Sequence, residues 1–88
     1  MIENKITISN KAGLHARAAA KLVEVANQFE SQFEIGSQEK MVDGKSILSI
    51  MLLAASPGTV LNIKLDGSDE LEAFSAIKSL TENKFDEE

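Results

Sequence analysis

The chain contains no cysteine, tryptophan or tyrosine, and only one proline and one histidine in 88 residues. Without thiols there is no disulfide and no thiol redox chemistry. With a single imidazole, a zinc site would need mostly carboxylate ligands, so neither a metal nor a cofactor is expected. A net charge of −5 without tyrosine or tryptophan makes nucleic acid a poor partner, because phosphate neutralisation and base stacking both lack their residues. No apolar run approaches the roughly 18 residues of a membrane-spanning helix. The longest, residues 47–55, is interrupted by Ser49. The opening "MIENKITIS" has no basic stretch followed by a hydrophobic one and does not read as a signal peptide. A cytoplasmic protein without membrane insertion is expected.

What remains is ordinary for a folded domain: 43% hydrophobic and 26% charged residues. The length points to one domain over residues 1–88, expected to be a monomer. Charge is uneven. Residues 1–31 carry four basic and three acidic side chains, residues 62–88 three basic and eight acidic ones. A protein partner engaging the less acidic N-terminal side would fit that distribution.

Patterning predicts the elements. "KITIS" alternates as a half-buried strand. Residues 10–15 form a loop in which Gly13 permits a turn that other residues resist. A helix is predicted over residues 16–28, with Ala19, Leu22, Val23, Ala26 and Phe29 in one apolar stripe and Arg17, Lys21, Glu24 and Gln28 toward water. "QFEIG" and "EKMVD" read as two short strands around a turn at residues 36–38. Ser46 is placed to cap a helix over residues 47–55, stopped by "SPGT". "VLNIKLDG" alternates again. Asp69 or Ser68 caps a last helix to about residue 83, whose buried face would be Ala73, Phe74, Ala76, Ile77 and Leu80. The closing "DEE" should fray. The order β-α-β-β-α-β-α implies an α+β, two-layer domain with helices on one face of an antiparallel sheet.

The single histidine, His15, falls at the start of the first helix, as its N-cap or close to it. The free amides and dipole of a helix N-terminus favour an anion. Arg17 adds a fixed positive charge shaped for phosphate. Ala12, Gly13, Ala16, Ala18 and Ala20 leave space around the ring. An imidazole in that setting fits one that accepts and releases a phosphoryl group, although a histidine so placed is more often a simple cap. A serine hydrolase is disfavoured, since no G-x-S-x-G occurs and so small a domain offers little room for a cleft.

"NKAGLHARAAAKLVEVA" resembles the active-site segment of the HPr family, histidine phosphocarriers of the bacterial phosphoenolpyruvate phosphotransferase system. The family signature G-[LIM]-H-[AT]-R-P-A corresponds here to Gly13-Leu14-His15-Ala16-Arg17-Ala18-Ala19. "DGKSILSIMLLAASPGT" and "GSDELEAFSAI" resemble its serine site with second helix and the start of its last helix. The resemblance implies an open-faced β-sandwich with a four-stranded antiparallel sheet and three helices on one face. It implies a carrier rather than an enzyme, with His15 phosphorylated on Nδ1 and Arg17 steadying the phosphoryl group. The donor would be an enzyme I-type protein and the acceptor an EIIA-type protein. Alanine at position 18 departs from the family's proline, which favours a helix's first turn but makes no bond to phosphate. "ITISNKAGLHAR" and "NKFDEE" look more like the nitrogen-related branch, NPr, than the sugar-transport HPr.

Ser46 carries two readings. One is a plain N-cap. The other, implied by the resemblance, is regulatory phosphorylation by an HPr kinase/phosphorylase. The second helix is apolar almost all round, with Ile47, Leu48, Met51 and Ala55 on one face and Ile50, Leu53 and Ala54 on the next. One sheet cannot cover both faces, so Ile47, Leu48 and Met51, with Ala16 and Ala20, are expected to form a docking surface. Readings of other kinds remain open: a small-ligand regulatory domain of similar layout, or an interaction module regulated on Ser46 in which His15 is dispensable.

Overall fold

A computed structural model describes residues 1–87. Strand β1 (Ile2–Thr7) leads through a loop to helix α1 (Ala16–Ala26). Strands β2 (Gln32–Gly36) and β3 (Met41–Asp43) follow, then helix α2 (Ile47–Met51), strand β4 (Val60–Asp66) and helix α3 (Glu70–Glu82). A short turn over Lys84–Asp86 follows α3. The sheet runs β1-β4-β2-β3 and every neighbouring pair is antiparallel.

The registers explain which face is covered. Ile6 pairs with Leu61, Phe33 with Leu65 and Ile35 with Ile63, and all six are buried. The next residues along pair Glu3 and Glu34 with Lys64 on the open face. Period-two alternation thus sends one side of the sheet to the helices and the other to water. Ala18, Ala19, Leu22, Val23 and Ala26 of α1, Ile50 of α2, and Ala73, Ile77 and Leu80 of α3 complete one continuous core. This is the expected α+β arrangement.

Several expectations need correction. Strand β1 begins at Ile2 rather than Lys5, because Ile2 already pairs with Leu65. Helix α1 ends at Ala26, and Gln28 and Phe29 continue it only as tighter turns onto the carbonyls of Val25 and Ala26. Helix α2 stops at Met51, not at residue 55. The chain must swing so that the Ala55 carbonyl accepts the Leu14 N–H at 2.9 Å, and Ala54 takes a left-handed φ of 51° to make that turn. Ala55 is consequently buried instead of sharing the outer face of α2.

On α3, Phe74 and Ala76 are only half-buried, while Thr81, absent from the expected face, is buried. Asp69 precedes α3 but its carboxylate does not cap that helix. It accepts the backbone N–H groups of Glu30 and Ser31 and the Ser31 hydroxyl, so it ties the α1–β2 loop to the start of α3. These donors, the Ser31 hydroxyl first and the Glu30 amide next, hold the Asp69 carboxyl below the usual carboxylate range.

The predicted frayed end is the largest difference. Phe85 is fully buried, and its carbonyl accepts a hydrogen bond from Lys21 Nζ at 2.7 Å. Glu87, half-buried, is therefore held against the domain while Asp86 is exposed, and Glu88 lies outside the described residues. Lys84, Phe85 and Asp86 all adopt left-handed φ values, 55°, 56° and 61°. Such a turn of non-glycine residues is strained, and the burial of Phe85 offsets that strain.

Candidate functional site

The loop before α1 is built around two backbone requirements. Gly13 has φ +73°, and a Cβ there would meet the Ala55 carbonyl oxygen at 2.7 Å. Only glycine meets both demands. Next to it the Leu14 side chain enters the core. These constraints leave His15 at the rim as the N-cap of α1, with extended backbone (φ −87°, ψ −175°).

The His15 ring is held on both nitrogens. Its Nδ1 accepts the backbone N–H of Arg17 at 3.2 Å. Its Nε2 lies 2.8 Å from Glu87 Oε2. The N-cap expectation is thus met in full, with the imidazole itself satisfying one of the free amides of the helix. Glu87 is in turn fixed by Asn10, whose Nδ2 donates to Glu87 Oε1 at 2.9 Å and to the Gly13 carbonyl at 2.7 Å. The Asn10 donor, followed by the His15 ring, holds the Glu87 carboxyl below its ordinary range, against the opposing effect of desolvation.

Lys11, Ala12, His15, Arg17 and Glu87 line one shallow depression. The structure therefore brings His15 and Arg17 together, and Arg17 is exposed. Another depression, lined in part by Glu3, Lys5, Asn62 and Lys64, occupies the open face of the sheet and holds no histidine. Among the described residues no group of His, Asp or Glu is arranged to hold a metal ion, and no helix is long and apolar enough to cross a membrane.

Ala18 is fully buried. Its methyl group packs into the core, and α1 begins at Ala16 without a proline in its first turn. Ser46 caps α2, its Oγ accepting the Ser49 N–H at 3.2 Å. Lys45 next to it is turned away to the Phe29 carbonyl. The expected docking residues are all on the surface. Ile47, Leu48 and Met51 are 42%, 68% and 41% exposed, and Ala16 and Ala20 are exposed as well. Sequence reading missed Leu52, the most exposed of this group at 74%. It also missed Asn10 and Glu87, which have no periodic pattern to reveal them.

Fold and site together define a small open-sheet domain whose single imidazole caps a helix at the rim of a shallow depression. The sequence model described as PTS HPr component phosphorylation site matches residues 2–83. The chain belongs to this family, the HPr phosphocarriers of the phosphotransferase system. It is 47% identical over 88 residues to phosphocarrier protein HPr of Xylella fastidiosa, covering 100% of this chain and 99% of that one. To the HPr of Pseudomonas aeruginosa it is 51% identical over 84 residues, covering 94% and 93% of the two chains. The crystal structure of an HPr from Thermoanaerobacter tengcongensis superposes with a TM-score of 0.94 at 46% identity, over 100% of this chain and 99% of that chain. An HPr from Bacillus anthracis gives 0.85 at 38% identity, over 91% and 95%.

Proposed function

We propose that this chain is a single, monomeric cytoplasmic carrier domain that takes a phosphoryl group onto His15 Nδ1 from an enzyme I-type donor and passes it to an EIIA-type acceptor. The observation that carries the reading is the orientation of the ring. Nδ1 faces the amide of Arg17 at the N-terminus of α1, where free amides and the helix dipole favour an arriving anion. Nδ1 supplies the lone pair that forms the N–P bond, and the bond from phosphorus to the donor's leaving atom breaks with its electron pair. Arg17, on the same depression, offers several donors to the phosphoryl oxygens. The exposed side chains of Ala16, Ala20, Ile47, Leu48 and Met51 form the docking face, and Leu52 extends it. An apolar ring there keeps water from the labile bond and leaves few charges to desolvate.

Incubation with phosphoenolpyruvate and enzyme I should add one acid-labile, base-stable phosphate. A His15→Ala variant labelled as well as the parent protein would sink the assignment. Run side by side with enzyme I of the sugar and nitrogen branches, the nitrogen-related donor should be the faster, as "NKFDEE" and "ITISNKAGLHAR" suggest. Faster transfer from the sugar-branch donor would reverse the branch assignment. Ser46 is a second, regulatory site for an HPr kinase/phosphorylase. Its exposure is partial and α2 has only five residues, so a phosphate there would gain little from the helix dipole and act mainly by adding charge beside the docking face. Kinase and ATP should give an acid-stable phosphate on Ser46. A protein left unlabelled by a kinase active on related carriers would reduce Ser46 to its capping role.

A further inference from the structure

The contact between His15 and Glu87 has no counterpart in the sequence patterns, and its geometry is specific. Nε2 and Oε2 are 2.8 Å apart. Two unprotonated atoms at that separation would set lone pair against lone pair, so one of them carries a proton, and the Glu87 carboxyl is held below its ordinary range by its neighbours, Asn10 first. The proton therefore belongs to Nε2. On the other side of the ring Nδ1 accepts the Arg17 N–H, so it carries the lone pair. The two contacts select the same tautomer from opposite sides.

The placement of Glu87 is itself enforced. Asn10 is fully buried and directs Nδ2 at two acceptors, Gly13 O and Glu87 Oε1. It cannot turn over without setting its oxygen against both, so its orientation is fixed although Oδ1 is left buried without a partner. From the chain end, the left-handed turn at Lys84, Phe85 and Asp86 aims Glu87 inward. That turn is anchored by Phe85 in the core and by Lys21, a residue of the helix that His15 caps. A strained turn and an orphaned amide oxygen are both unfavourable, and both serve to place one carboxylate.

We propose that Glu87 is a positioning residue for His15, keeping the ring proton on Nε2, leaving the lone pair on Nδ1, and balancing the positive charge that grows on the ring during transfer. This rests on the carrier reading above. As the Nδ1–P bond forms and the donor's bond to phosphorus breaks, the imidazole becomes cationic while its Nε2 proton stays in place beside the carboxylate. When the phosphoryl group moves on, the electron pair returns to Nδ1 and the ring is again neutral with the same proton on Nε2. The short contact is not aligned as a linear hydrogen bond, since Oε2 finds no hydrogen-bond partner by direction. Its contribution is therefore electrostatic: a carboxylate charge 2.8 Å from Nε2 favours the tautomer with its proton on that nitrogen.

The decisive variant is Glu87→Gln. An amide has one acceptor and one donor end. Asn10 demands the acceptor, which turns the donor toward Nε2 and favours a proton on Nδ1 instead. Nitrogen-15 spectra of the ring at a pH where it is neutral should show Nε2 protonated and Nδ1 unprotonated in the parent protein, and a shift toward the reverse in Glu87→Gln. Transfer from phosphorylated enzyme I should slow roughly tenfold, the size expected when one charge-assisted contact is lost. Unchanged nitrogen shifts in Glu87→Gln, or a mixed tautomer already present in the parent, would overturn the proposal. The spectra need no donor protein, so they judge Glu87 even if the parent accepts no phosphate, an outcome that would count against the carrier reading alone.

Discussion

At the scale of single residues, the site depends on side chains whose replacement should have separable effects. Arg17 is exposed, and what it gives the His15 ring is its backbone N–H. Arg17→Ala keeps that amide and removes only the guanidinium. Phosphoryl transfer should slow roughly 10- to 100-fold, the worth of a charge-assisted hydrogen bond of about 1.5–3 kcal/mol, while the urea midpoint stays unchanged. A large fall in stability would instead show that the side chain supports α1. Gly13 should behave in the opposite way. Gly13→Ala combines an unfavourable φ of +73° with a 2.7 Å approach to the Ala55 carbonyl. It should cost more than about 1 kcal/mol and disturb the neighbouring Leu14 N–H to Ala55 bond that seats the loop. An unchanged unfolding midpoint for Gly13→Ala would mean that the loop relaxes around the methyl group.

At the scale of elements, α2 and the Asp69 link make distinct predictions. Leu48 is mostly exposed, whereas Ile50, two residues on, is fully buried. Leu48→Glu should weaken binding to enzyme I and EIIA while changing stability by no more than about 1 kcal/mol, as at a surface position. A variant that unfolds would return Leu48 to the core. The Asp69 carboxyl is held below its ordinary range by Ser31 and Glu30 donors. A depressed acid contributes stability that is present above its unfolded value and is lost as pH falls through the folded one. The stability gap between the parent protein and Asp69→Asn should therefore be widest near neutral pH and close under acid, followed by urea unfolding across that range. A gap independent of pH would show that the link acts by shape and not by charge. The strands, most of the buried stripe of α1 and the capping roles of His15 and Ser46 were legible because periodicity and cap chemistry are local signals. The early end of α2 was not. It is imposed by the Leu14–Ala55 bond, a contact across the fold, on a stretch whose composition would continue a helix. Asp69 illustrates the same limit, since it stands where a cap belongs but spends its oxygens on another loop.

At the scale of the whole molecule, the C-terminal end closes onto the site near its beginning: Glu87 meets Asn10 and His15. Nothing in the spacing of "NKFDEE" announces this. One phenylalanine in a polar tail carries no periodicity, and a left-handed turn that includes lysine and phenylalanine runs against the preference of both. Magnitudes suggest how firmly the end is held. A left-handed residue other than glycine costs about 1–2 kcal/mol, and three stand in succession at positions 84–86. Truncating a buried phenylalanine to alanine typically costs about 3–5 kcal/mol. The anchor and the strain are thus of similar size, and the turn should open more readily than the helices beneath it. Phe85→Ala should release the strain together with the anchor, so its net loss should be under about 3 kcal/mol, less than an ordinary core truncation. Amide exchange at Asp86 and Glu87 should rise toward that of an open chain while α1 and α3 stay protected. Because the released tail withdraws Glu87, phosphoryl transfer to His15 should slow, as is also expected for Glu87→Gln. A full core-truncation loss with the Asp86 and Glu87 amides still protected would show instead that the turn persists over a cavity, and that the end of the chain is held by more than Phe85.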